Sequence, residues 1–129
     1  MATFRSFEDI DAWKKARQLT DMIYRITKSG PFSRDYALRN QVRRTCISVT
    51  SNIAEGFERD GAGEFAQFLS IAKGSLGELR SQLYIALDQK YIDTSTFKDL
   101  TGLCIEISKM IRALMVYLRK SSIRGAKYR

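Results

Sequence analysis

Residues 65–86, with the sequence FAQFLSIAKGSLGELRSQLYIA, carry the clearest helical pattern in the chain. Apolar residues recur there at alternating spacings of four and three, which places them on one face of an α-helix. A sustained alternation of this kind is typical of helices that pack nearly parallel, at crossing angles of about 20°. We therefore predict a helix over about 63–90. Its core positions are Phe65, Leu69, Ala72, Leu76, Leu79, Leu83 and Ala86.

The same repeat occurs in three other segments, at about 7–28, 35–59 and 96–120. The connections are short, so each helix is expected to turn back antiparallel to the one before it. No alternation of apolar and polar residues predicts a strand. The chain is therefore predicted to be all-α, an antiparallel up-down-up-down four-helix bundle over residues 1–120, followed by a basic tail at 121–129.

The predicted ends of the helices determine which parts of the chain are neighbours. The start of the first helix, the corner at 55–64 and the end of the fourth helix all fall at one end of the bundle. The basic tail is therefore expected to lie near the segment SNIAEGFERD, residues 51–60. The predicted N-caps are Ser6 with Asp9, Ser33, and Asp93 or Ser95.

The composition is that of a globular domain with an excess of bases. Of the 129 residues, 44% are hydrophobic and 28% are charged, and the net charge is +8. From Lys109 to Arg129 there are seven bases and no acid, so this end of the molecule is expected to attract polyanions. The apolar runs are too short to cross a bilayer, and the N-terminus lacks the order of a signal peptide. We expect a cytoplasmic protein without membrane contact.

Metal, cofactor and catalytic sites are not expected. The chain has no histidine, and its two cysteines, Cys46 and Cys104, fall within apolar helical patterns where buried thiols are common. Carboxylate pairs such as Glu55 and Glu58 occur at helical spacing, which is usual in solvated helices. No set of nucleophile, base and orienting group can be assembled, so we predict a non-catalytic protein without a cofactor.

The segment SNIAEGFERD places poor helix formers inside a predicted helix. Gly56 falls on the core stripe of the second helix, and Gly74 and Ser75 lie in the third. Glycine in a helix costs about 1 kcal/mol relative to alanine, so a compensating reason is expected. Close approach of the two helices is the simplest one.

Asn52 and Glu55 are three residues apart and share one face of the second helix. They are expected either to form a polar network with Ser75 or Glu78 across the bundle or to be solvated. A structural role is favoured over a catalytic one because the chain has no histidine to complete a catalytic set. The predicted structural motif comprises Asn52, Glu55, Gly56, Arg59, Gly74 and Ser75.

Arginines and lysines form a candidate nucleic-acid-binding surface. Arg39 and Arg43 are one turn apart on the second helix, with Arg44 beside them. Lys109 and Arg112 form a similar pair on the fourth. Several cations along one face release counterions together when they meet phosphates. The other interpretations are a solvated face, or pairing of Arg43 and Arg44 with acids of a neighbouring subunit. The candidate set is Arg39, Arg43, Arg44, Lys109, Arg112, Arg119, Lys120, Arg124, Lys127 and Arg129.

A surplus of apolar side chains lies beside the core stripes. A four-helix core of this length does not have to hide all of them, so they either widen the core or form an interface between copies of the chain. These residues are Trp13, Tyr24, Phe57, Phe68, Ile71, Tyr84 and Tyr117.

Three stretches resemble a known family. They are DAWKKARQLTDMIY (11–24), QVRRTCISVTSNIAEGFER (41–59) and EFAQFLSIAKGSLGELRSQL (64–83). The chain is similar to the bacterial four-helix-bundle proteins encoded within intervening sequences of 23S ribosomal RNA genes, a family that also includes the accessory protein of diversity-generating retroelements. The middle stretch is the most specific part of the resemblance, and the C-terminal tail is not part of it.

The resemblance implies a homopentamer of four-helix bundles with a positively charged surface. For the retroelement branch it also implies binding of nucleic acid and of a reverse transcriptase. The chain has no zinc finger, aromatic RNA-binding strand or phosphate loop, so backbone-directed binding is favoured over sequence-specific recognition. We therefore expect a cytoplasmic, non-catalytic homo-oligomer that presents basic patches to RNA or DNA. The alternative is a protein-interaction scaffold, for example an accessory protein of a reverse transcriptase.

Overall fold

The computed structural model describes residues 4–123 of the chain, with side chains described as far as Lys120. Its described residues form helices and no strand. A 3-10 helix spans Phe7–Asp9 and precedes five α-helices. These are α1 (Asp11–Ile26), α2 (Gly30–Arg34), α3 (Tyr36–Glu58), α4 (Ala62–Asp88) and α5 (Thr94–Ile123).

The four long helices form the predicted antiparallel bundle. Helix α3 packs along α4, α4 packs along α5, and α1 packs against both α3 and α5. The predicted apolar stripes meet in one core, in which every predicted core position of α4 is at most 1% exposed. Burial of apolar surface is the main source of stability for such a bundle, because isolated helices are marginal in water. The predicted fold class is therefore confirmed.

Helix α2 is a short element that the repeat does not predict. It brings Phe32 into the core, where the Phe32 ring stacks on Tyr91 at 5.1 Å between centroids. The chain enters α2 at Gly30, whose φ of +70° suits glycine. The predicted cap at Ser33 is wrong, because its hydroxyl donates to the Gly30 carbonyl. Asp35 caps α3 instead, accepting from the Leu38 N–H.

The other helix starts agree better with the sequence. Asp93 caps α5, since its carboxylate accepts from the Thr96 N–H at 2.7 Å. At the N-terminus, the Asp9 carboxylate accepts from the Ser6 N–H at 3.3 Å, as a capping box requires. The turn that this pair closes is the 3-10 helix, and α1 begins later than predicted, after Ile10.

The N-terminal segment and the α3–α4 corner meet at one end of the bundle, as predicted. The Phe4 and Phe57 rings lie 6.5 Å apart, edge to face, and Phe4 also shares a cavity with Met110 and Leu114 of α5. Helix α5 continues to Ile123, three residues into the predicted basic tail. Residues 124–129 of that tail, which was expected beside this corner, lie outside the described residues. Within the described part of the chain, no helix combines the length and apolarity needed to span a bilayer.

Candidate nucleic-acid interface

Arg43 is partly buried between α1 and α3. Its Nε donates a 2.9 Å hydrogen bond to the hydroxyl of buried Thr27, and its guanidinium lies 4.4 Å from the centroid of the Tyr24 ring. A cation over an aromatic face is stabilising, and more so when water is excluded. These contacts join α1 to α3, so they give Arg43 a structural role.

Arg39 is also engaged within the chain. One terminal nitrogen, Nη1, donates to the carbonyl of Ser33 at 3.0 Å, and the guanidinium lies 4.7 Å from the centroid of the Tyr36 ring. The side chain thereby joins α2 to the start of α3. Of the three predicted α3 cations, only Arg44 is exposed, and it forms no ion pair with any residue of 4–120.

The predicted cations of α5 are available to solvent. Lys109, Arg112, Arg119 and Lys120 are all exposed, and none of them forms an ion pair within the described part of the chain. The nearby acid Glu106 is already paired with Lys15 of α1, at 3.1 Å. The three remaining predicted cations, Arg124, Lys127 and Arg129, lie outside the described residues.

Helix α4 adds two cations that the sequence reasoning missed. Lys73, Gly77, Arg80 and Tyr84 follow one another at spacings of four, three and four, so they share one side of α4. This side faces α5, because the Tyr84 ring meets Phe97 edge to face at 4.8 Å. Arg80 and Lys73 are seven residues apart, so the sequence shows that they share one side of α4. Only the pairing of α4 with α5 shows that this side lies beside α5.

The two helices together form one continuous surface, which we call the α4–α5 edge. On α5, Ile105, Arg112 and Arg119 repeat every seven residues, each directly after a core position. Glu106, on the other flank of this core stripe, pairs with Lys15 of α1, so the three residues lie on the flank towards α4. Four of its seven members are cations, and the exposed acid Asp88 follows Tyr84 by one turn at the end of α4. Its members are Lys73, Gly77, Arg80, Tyr84, Ile105, Arg112 and Arg119.

The predicted polar network exists, but it involves Asn52 without Glu55. The Asn52 amide donates to Ser48 at both its carbonyl and its hydroxyl, and the Ser48 and Ser75 hydroxyls are 3.0 Å apart. The network therefore joins α3 to α4 through Ser48, a residue that was not in the predicted motif. Glu55 is exposed and pairs with Arg59 at 2.9 Å, which is the solvated alternative.

Arg59 has a structural role at the α3–α4 corner. It pairs with Glu55 and, more distantly, with Glu64 at 3.8 Å, and its guanidinium lies 5.1 Å from the centroid of the Phe68 ring. The hydrogen bond that Arg59 donates to the Glu55 carboxylate raises the pKa of the Arg59 guanidinium. These contacts connect the end of α3 with the first turns of α4.

The prediction of close helix approach is right for Gly56 and wrong for Gly74. A Cβ atom at Gly56 would lie 2.6 Å from the Cβ of Phe68 in α4. A Cβ atom at Gly74 would meet no atom within 4 Å, because Gly74 lies on the outer side of α4. The same is true of Gly77 on the α4–α5 edge. Spacing alone does not separate an inward glycine from an outward one.

The cysteines are buried thiols of the core, as predicted. Burial raises the pKa of Cys104 to about 12, against the opposing effect of the Arg80 charge. Burial also raises the pKa of Cys46. No group of three or more side chains suited to a metal ion occurs among the described residues.

Part of the apolar surplus widens the core, since Trp13, Phe57 and Tyr117 are partly buried and pack against it. Tyr24 and Phe68 are partly buried beneath arginine guanidiniums. Ile71 and Tyr84 are 52% and 55% exposed. A shallow groove of about 510 Å³ runs between α1 and α3, lined by aromatic and hydroxyl side chains. Its lining includes Phe7, Trp13, Tyr24, Thr20, Thr50 and Ser51.

Comparison with known proteins places the fold among helical relatives. The sequence model of a family described as 23S rRNA-intervening sequence protein matches residues 8–113. A similar solved structure is that of a protein of unknown function from the S23 ribosomal protein family of Bacteroides thetaiotaomicron VPI-5482. The two chains share 19% identity with a TM-score of 0.73, over 81% of this chain and 97% of the other. No curated protein matches the sequence.

Proposed function

The chain belongs to the family of 23S rRNA-intervening sequence proteins, and on that basis we propose that it is a non-catalytic homo-oligomer that binds the backbone of RNA or DNA. The proposed assembly is the pentamer that the family resemblance implies. Each copy contributes the same basic surface. The proposed cellular compartment is the cytoplasm.

The observation that carries the proposal is the set of unpaired cations on α5. Lys109, Arg112 and Arg119 are exposed along about 15 Å of helix, at 1.5 Å per residue, without an ion pair among the described residues. Unpaired cations repel one another, and phosphates relieve this repulsion while counterions are released. The absence of a base-reading motif favours contacts to the backbone.

Assembly strengthens such a surface. A patch of three or four charges binds weakly at cellular salt, but linked copies raise the effective concentration of each later contact. Support for self-association comes from the outer side of α4, where Ile71 and Ile85 are 52% and 49% exposed, with Gly74 between them. Small and apolar residues allow a second copy to approach closely.

Light scattering tests the proposed assembly. We expect the purified chain to have several times the mass of one subunit, and the double variant Ile71→Glu/Ile85→Glu to have a lower mass, because a buried charge opposes association. Ile47→Glu, at another apolar position that is 42% exposed, is the matched control and should leave the mass unchanged. A monomeric wild-type chain would remove this part of the proposal.

Salt-dependent binding tests the nucleic-acid function. With about four phosphate contacts, raising the salt from about 50 to 200 mM should weaken binding to RNA or DNA about 100-fold. Lys109→Glu/Arg112→Glu should abolish most of the binding. The control Lys28→Glu/Arg34→Glu makes the same change in net charge at two exposed cations near α2 and should leave most of the binding intact. An affinity that does not change with salt would contradict the proposal.

A protein-interaction scaffold is the second candidate, and the groove between α1 and α3 favours it. Phe7, Trp13 and Tyr24 offer an aromatic surface there, and aromatic side chains are enriched at protein interfaces. A partner such as a reverse transcriptase would dock independently of the α5 cations. Under this alternative, a protein complex survives Lys109→Glu/Arg112→Glu and is lost when the groove is changed by Trp13→Ala.

A further inference from the structure

We propose that the α4–α5 edge binds single-stranded nucleic acid, with its four cations on successive parts of one backbone and Tyr84 stacked on an unpaired base. The inference rests on the proposed nucleic-acid function and adds to it the class of nucleic acid and the site. Two of its four cations, Lys73 and Arg80, lie outside the surface that the sequence predicts.

The cations of the edge form a single row. The contact between Tyr84 and Phe97 sets the register of the two antiparallel helices. At 1.5 Å per residue, Arg80 lies about 6 Å from this contact along the bundle, and Lys73 about 16 Å. Counting from Phe97, Arg112 lies at about 22 Å and Arg119 at about 33 Å. Measured along the bundle axis, the four cations therefore span about 27 Å, with two on α4 followed by two on α5.

A row of cations of this length along one side of the bundle fits an unpaired strand better than a duplex. A duplex completes one turn in about 34 Å, so over about 27 Å each of its backbones winds most of the way around the helix axis. A row of cations on one side can then contact only a few of its phosphates. A single strand is flexible enough to follow the row and to neutralise all four charges.

Tyr84 provides the second element of a single-strand site. Its side chain is 55% exposed, although its ring is held edge to face by Phe97 at 4.8 Å. An exposed aromatic ring beside a cationic track is the arrangement on which unpaired bases stack without regard to sequence. The bases of a duplex are already stacked on one another and are not available to such a ring.

The surface between the cations is open. Gly77 lies between Lys73 and Arg80, and a Cβ atom at Gly77 would meet no atom within 4 Å. A strand can therefore approach the helix backbone at this point. Ile105, which is 38% exposed, supplies apolar surface on the facing side of the edge. Within the described residues, neither Lys73 nor Arg80 forms an ion pair that would have to break.

The test measures fluorescence anisotropy of a labelled single-stranded oligonucleotide and of the duplex of the same sequence, using the full chain. We expect the single strand to bind at least about tenfold more tightly. Lys73→Glu/Arg80→Glu should weaken its binding by about tenfold or more, whereas the control Lys28→Glu/Arg34→Glu should have little effect. Circular dichroism and the urea midpoint verify that each variant is folded.

Tyr84 is tested by a pair of substitutions. Tyr84→Leu keeps an apolar contact with Phe97 but removes the stacking face, and should weaken single-strand binding by about tenfold without changing duplex binding. Tyr84→Phe keeps the aromatic ring and should bind the single strand with wild-type affinity. Equal binding of duplex and single strand, or full binding by Lys73→Glu/Arg80→Glu, would overturn the inference and leave the proposed function standing. Failure to bind either nucleic acid would remove both.

Discussion

Gly56 of α3 and Phe68 of α4 lie so close that a Cβ atom on Gly56 would be 2.6 Å from the Phe68 Cβ, a distance that side-chain carbons do not adopt. The same added atom would be 3.1 Å from the ring of Phe65. Helices α3 and α4 therefore approach closely at their shared corner. This contact explains why the segment SNIAEGFERD accepts a glycine in the middle of a helix.

Gly56→Ala is expected to destabilise the protein by about 1–3 kcal/mol, because the backbone or the Phe68 side chain must move to admit the methyl group. The urea midpoint measures the change. Gly102→Ala is the matched control on the outer side of α5, where the same substitution meets open space. It should stabilise the helix by about 0.5–1 kcal/mol. Equal effects of the two substitutions would contradict the close approach.

Arg43→Met should lower the free energy of unfolding by about 1 kcal/mol, since it removes the hydrogen bond to Thr27 and the contact with the Tyr24 ring. Arg44→Met, one residue along the chain and exposed, should change stability little. Thermal or urea unfolding measures both. Weakened RNA binding by Arg43→Met at unchanged stability would show that Arg43 contacts nucleic acid instead.

The hydrogen bond between Tyr91 and Asp35 is expected to make the free energy of unfolding fall as the pH rises into the alkaline range. The Tyr91 hydroxyl donates to the Asp35 carboxylate at 2.9 Å, and this hydrogen bond raises the pKa of Tyr91. A group whose pKa is raised by folding stabilises the protein below its unfolded pKa, which is about 10 for tyrosine, and the effect disappears as pH rises through the folded value. The advantage of wild type over Tyr91→Phe should therefore be full at neutral pH and lost at alkaline pH.

Urea unfolding of wild type and Tyr91→Phe across this pH range measures the difference. Subtracting one curve from the other removes every contribution that the two proteins have in common. If the wild type's advantage in free energy of unfolding grew with pH, this would contradict a pKa of Tyr91 that is raised by the hydrogen bond.

Cys46 and Cys104 should resist thiol reagents while the protein is folded. Both side chains are fully buried, and burial raises both pKa values, that of Cys104 to about 12, so few thiolates exist near neutral pH. A colorimetric thiol assay should detect almost no reaction in buffer and two thiols per chain in urea. Rapid labelling of the folded protein would indicate that the core opens locally at α3 or α5.

Much of the architecture follows from the local pattern. A helix buries one stripe of residues, and the spacing of apolar residues identifies that stripe without reference to the rest of the chain. This is why Phe65, Leu76 and Leu83 are predicted and found in the core. Caps such as Asp93 can also be predicted, because the carboxylate and the amide that it accepts from are three residues apart.

The polar flanks of the helices cannot be assigned in the same way. Their contacts depend on how far each helix is rotated and shifted against a neighbour that is distant in sequence. Tyr91 reaches Asp35 across 56 residues of chain, and Ser48 reaches Ser75 across 27. Helical spacing places Arg43 beside the core stripe but does not show that Tyr24 and Thr27 would receive its guanidinium.

The basic surface is also predicted only in part from the sequence. The sequence shows that α5 ends in a run of bases, since charge is a property of each residue. The pairing of α4 with α5 brings Lys73 and Arg80 to the same side of the bundle as Arg112, and the packing of α3 on α1 leaves Arg43 only partly exposed. The buried positions of each helix can be predicted from the sequence, because they follow from the local spacing of apolar residues. The arrangement of polar groups from different helices arises only when the helices pack together.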